Sequence, residues 1–171
     1  VDGEGNERLL VQQSIVVPAD EEEDLPMEWL TPLFCAIIIC IASMALTFYE
    51  YRKRYAGRWH DILLFTLAGV GGLVLFFLCF ISEHPCTCPN WNMLWLHPLQ
   101  LSILPLSLVK NGRKAVFYYH FINFAAIMIM LLGWRFIPQH FNHAIIPLII
   151  TLGVRSASYI LRFHQQEKRL K

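Results

Sequence analysis

No lysine or arginine occurs between Arg58 and Lys110. After Glu28, acids are almost as scarce: Glu50, Asp61, Glu83 and Glu167 are the whole supply. Charged residues make up 16% of the 171, and hydrophobic ones 56%. A soluble domain carries about 25% charge, so a water-facing surface over most of this chain is excluded. With so few bases there is no patch for nucleic acid. The chain also has no second ligand pair at zinc spacing and no Cys-x-x-Cys. That removes the common zinc and thiol-redox signatures. It has no internal repeat, and spacing alone places no nucleophile.

The charge that is present is segregated. Residues 1–28 hold nine acids against Arg8, whereas residues 29–171 hold thirteen bases and four acids. Long apolar runs fill the second part. A membrane-spanning helix needs about 20 apolar residues, and five stretches meet or approach that: 29–49, 62–82, 93–109, 115–134 and 144–163. The third is short and broken by Pro98 and Pro105. The expected fold is therefore an all-α integral membrane protein with five transmembrane helices over residues 29–163.

Bases in the flanking links orient these helices. Arg52, Lys53, Arg54 and Arg58 follow the first, Lys110, Arg113 and Lys114 precede the fourth, and Arg162, Lys168, Arg169 and Lys171 close the chain. The link at 83–92 has no base and that at 135–143 only Arg135. Short basic loops stay cytoplasmic. The N-terminal side is thus expected outside and the C-terminus, with a basic tail at 164–171, cytoplasmic. Trp29, Trp91, Trp95 and Trp134 then fall at the outer face, as interfacial tryptophans do. Residues 1–28 read as a trailing strand, "RLLVQQSIVV", plus an acidic linker. A lone strand is unstable, so it is expected to close an exported domain lying upstream in the same polypeptide. No leader precedes Val1, which fits that expectation.

The outer link "SEHPCTCPNWNMLWLHPL", residues 82–99, concentrates the residues able to do chemistry. His84, Asn90, Asn92, Trp95 and His97 suit a lipid headgroup or an acyl-ester carbonyl, because amides polarise carbonyls and imidazoles move protons. The structural alternative is that Asn90 and Asn92 cap the third helix and the tryptophans anchor it. His84, Cys86 and Cys88 would suit a soft metal, and a Cys86–Cys88 disulfide would be strained and oxidising. A thiol-redox or metal-binding protein is thus one rival reading. Inside the membrane, Arg155 costs roughly 2.5–3.5 kcal/mol on insertion scales. His120 and Asn123 lie at similar depth and Asp61 on the same side, so a polar cluster of these four is expected. A small transporter or channel around Arg155 is the second rival; a packing hydrogen bond or snorkelling is the structural one. Nothing in the residues calls for a cofactor.

One segment, "GVGGLVLFFLCFISEHPCTCPNWNMLWLHPL", resembles the C-terminal five-helix membrane region of the Lnb-type family of Bacteroidota and relatives. The likeness rests on Gly69, Gly71 and Gly72, on Phe76, Phe77 and Phe80, and on His84 with Pro85. It continues through Asn90, Asn92, Leu94, Trp95, Pro98 and Leu99. The resemblance implies a part in lipoprotein N-acylation at a bacterial inner membrane, with membrane lipids and a lipidated protein as partners. It places the catalytic machinery in the upstream domain, so no catalytic residue is carried over to this chain.

Overall fold

Every long apolar run forms a helix, because a backbone in hydrocarbon must satisfy its own polar groups. The computed structural model describes residues 31–53, 57–82, 88–110 and 112–170. They form α1 (Pro32–Lys53), α2 (Arg58–Phe80), α3 (Ile103–Leu108), α4 (Arg113–Gly133) and α5 (Ile145–Leu170). Short 3-10 turns lie at Trp91–Leu94, Pro98–Ser102 and Trp134–Phe136. The described residues contain no strand. The expected strand and linker at 1–28, along with His84 and Cys86, lie outside the described residues.

Four helices are long and apolar enough to cross a membrane: α1, α2, α4 with its trailing turn, and α5 to Gln166. The third segment differs from the single bent helix expected over 93–109. It descends as two 3-10 turns and finishes as the six-residue α3. Pro98 lacks an amide hydrogen and opens the second 3-10 turn, and Pro105 is tolerated in the first turn of α3, so no unbroken α-helical ladder runs over 93–109. Side chains add bonds to carbonyls of this irregular stretch. Gln100 Nε2 donates to the Trp95 carbonyl at 2.8 Å, and Tyr119 Oη donates to the Gln100 carbonyl at 3.1 Å. Irregular backbone at membrane depth persists only when enclosed in this way. The fifth helix also runs further than 144–163, through the basic tail to Leu170. No glycine or proline interrupts residues 163–170.

α5 is the axis of the bundle. It packs chiefly on α1 and α4, while α2 packs on the third segment. Its mean hydropathy, 1.4, is the lowest of the four spans, against 2.6 for α2. That fits its central place, since it faces protein more than lipid. The interior is polar as well as apolar. Phe65, Ile127, Met130, Ile149 and Leu152 are buried, and so are Ser43, Glu50, Asp61, Gln100, His120, Asn123, Thr151, Arg155 and Ser156. Outward residues such as Ile41, Leu67 and Leu132 are instead well exposed. A surface this greasy would associate in water but suits acyl chains.

Gly69 and Gly72 let the third segment lie close on α2. A Cβ on Gly72 would come within 2.5 Å of the His97 backbone, and one on Gly69 within 2.7 Å of the Leu101 amide nitrogen.

Candidate functional site

Two polar sites stand at opposite ends of the bundle. The first is ionic and lies where the basic links gather. Arg155 of α5 is wholly enclosed. Its Nε donates to Asp61 Oδ1 at 2.5 Å, and its Nη1 to Glu50 Oε2 at 3.0 Å and Thr47 Oγ1 at 2.9 Å. About two helical turns further along α5, Arg162 Nη1 donates to the same Glu50 Oε2 at 2.7 Å. The Gly57 amide adds a bond to Glu50 Oε1 at 3.1 Å. Two guanidinium groups and two carboxylates therefore meet across α1, α2 and α5. Their charges balance, as buried ions require. Beside them, His60 Nε2 meets Ser43 Oγ at 3.0 Å.

Of the four residues expected to cluster, Arg155 and Asp61 bond directly. His120 stands one layer away, with Nδ1 3.4 Å from Ser156 Oγ and its ring stacked on Tyr159 at 4.5 Å. Asn123 joins a different group. Its Oδ1 accepts from Gln100 Nε2 at 3.3 Å, and its Nδ2 donates to the Tyr119 carbonyl at 2.9 Å. Sequence reasoning did not include Glu50, Thr47 or Arg162. The available signal was a lone acid, Glu50, at the end of the first apolar run, two residues before the first of its bases, Arg52.

The second site is at the base-poor end. Asn90 caps the turn at Trp91–Leu94, its Oδ1 accepting from the Asn92 amide at 3.1 Å and from Asn92 Nδ2 at 3.0 Å. Trp95 Nε1 donates to Asn92 Oδ1 at 2.9 Å. Gln139, from the link before α5, closes the ring. Its Oε1 accepts from the Trp91 amide at 2.7 Å, and its Nε2 donates to Asn90 Oδ1 at 3.3 Å. The asparagines thus do cap and anchor, and they also order the loop. His97 follows, half-buried against Gly72, with Nδ1 enclosed and no hydrogen-bond partner among the described residues. Below it, His97, Ser102, Tyr119 and Asn123 contribute to a cleft of about 410 Å³ that is otherwise mainly apolar. The Cys88 thiol donates to the Cys79 carbonyl at 3.2 Å. Among the described residues, no three of His, Cys, Asp and Glu gather as a metal site.

The base-poor end thus carries an ordered amide and indole network, and His97 next to it lines a mainly apolar cleft. The family described as the Lnb transmembrane domain matches residues 21–167. No curated protein matches the chain, and no solved structure does.

Proposed function

The chain belongs to the Lnb transmembrane-domain family, and from that premise we propose that it is the membrane module of a lipoprotein N-acyltransferase. It holds an exported domain of the same polypeptide at the outer face of the bacterial inner membrane. Its base-poor end binds lipid or the lipidated substrate beneath that domain. Catalysis belongs to the upstream domain, and the module is accessory to it. The orientation rests on the positive-inside rule, with the N-terminal side periplasmic.

The observation that carries the reading is the ordered network of Asn90, Asn92, Trp95 and Gln139, close in sequence to His97, which lines a mainly apolar cleft. The transporter reading finds less support, because Arg155 is held by Asp61, Glu50 and Thr47 in a charge-balanced staple. The test uses the full-length protein. Asn90→Ala with Asn92→Ala should lower lipoprotein N-acylation, read by mass spectrometry of lipopeptides, at unchanged protein level. Replacing the whole module with unrelated spanning helices should lower it further. Normal acylation by that chimera would reduce the module to a plain anchor.

A further inference from the structure

A larger cavity, of about 670 Å³, opens at the base-rich end between α2, α3, α4 and α5. It is unrelated to the outer rim. Arg58, Lys110, Arg113 and Arg162 line it, against one acid, Asp61. That acid is already bonded to Arg155. Taking in the whole ionic cluster, five cations (Arg58, Lys110, Arg113, Arg155, Arg162) stand against two carboxylates (Glu50, Asp61), an excess of +3. Arg58 and Arg113 are exposed at the surface, and Arg113 Nη2 donates to the neutral Gln166 Oε1.

The helix ends add to this field. α2 and α4 both begin here, after Gly57 and Gly112, and neither N-terminus is capped by a side chain. Each therefore directs a partial positive charge of about half a unit toward the cavity mouth. The cavity floor is of opposite character. Ile62, Leu106 and Val116 line it, and Leu108 at its edge is 83% exposed. A cationic rim at the level of the helix ends, over an apolar floor, matches a molecule with an anionic head and a hydrocarbon tail. Cationic pockets between spanning helices take up lipid phosphates in this manner.

We infer that this cavity is a binding site for one anionic phospholipid of the leaflet on the base-rich side, its phosphate held by Arg58, Lys110 and Arg113. The bound lipid would offset the excess charge and fill the gap left where the third segment is only six helical residues long.

The experiment is native mass spectrometry of the full-length protein, delipidated in detergent and titrated with phosphatidylglycerol, phosphatidylcholine or inorganic phosphate. One phosphatidylglycerol should be retained, at least about tenfold more tightly than phosphatidylcholine, and added salt should weaken it. Arg58→Gln with Arg113→Gln should lower retention by about tenfold or more. Val116→Trp, which keeps every cation and blocks the floor, should lower it too. Arg135→Gln, at the other end, should leave it unchanged. Equal retention of the two lipids, or no effect of either cavity variant, would overturn the inference. Competition by inorganic phosphate, with no dependence on acyl-chain length, would show a soluble-phosphate site and overturn it as well.

Discussion

Removing the Arg155 guanidinium leaves Asp61 buried without the cation bonded to it and Glu50 paired with Arg162 alone among the described residues. Stranding a buried charge costs about 3–5 kcal/mol. Arg155→Ala should therefore lower the unfolding midpoint in detergent sharply. A combined Arg155→Met, Asp61→Asn chain keeps the Glu50–Arg162 pair, strands no charge and should recover most of that loss, because neutral groups of similar volume often replace buried ions at little cost. Arg155→Lys should recover less. A lysine is a point charge and cannot reach Asp61, Glu50 and Thr47 with separate fixed donors. If the neutral double variant unfolds as readily as Arg155→Ala, the cluster is not an electrostatic staple.

Between elements, the close seat of the third segment on α2 depends on missing side chains. Alanine in place of helical glycine would by itself gain about 1 kcal/mol. At Gly72 the new methyl would meet His97 backbone at 2.5 Å, and backbone cannot swing aside as a side chain does. Overpacking of this kind costs about 1–3 kcal/mol, so Gly72→Ala should be net destabilising. Gly71→Ala meets only the Leu96 side chain, at 3.4 Å, and should be neutral or slightly stabilising. The pair separates packing from propensity within three residues of one helix, and thermal melts in detergent read both.

The molecule as a whole has two unlike ends. One gathers Lys53, Arg58, Lys110, Arg113 and Arg162, with Arg162 bonded to Glu50 and Arg113 to Gln166. The other carries Asn90, Trp95, Trp134 and Gln139. The proposed orientation puts the first in the cytoplasm. In a cysteine-free chain, a single cysteine at the exposed His140 should react with an impermeant maleimide in intact spheroplasts. One at the exposed Gln165 should react only after lysis. The reverse labelling would invert the molecule and remove the periplasmic lipid-handling role.

Depth in the bilayer was legible from sequence, and lateral neighbours were not. Apolar runs had to become helices, since hydrocarbon offers no partner for an open backbone. The basic links then assign each residue a height. Arg155 and Asp61 could be paired on height alone, and they do bond. His120 and Asn123 share that level, yet one faces Ser156 and the other Gln100. Which helix stands beside which, and which face each turns inward, depends on side-chain packing among rods that lipid does not distinguish. Only the tertiary structure put α5 at the centre, so that Glu50 clasps two arginines. Only it laid an irregular third segment against glycine, where the Gln100 side chain bonds the Trp95 carbonyl and Tyr119 bonds the Gln100 carbonyl.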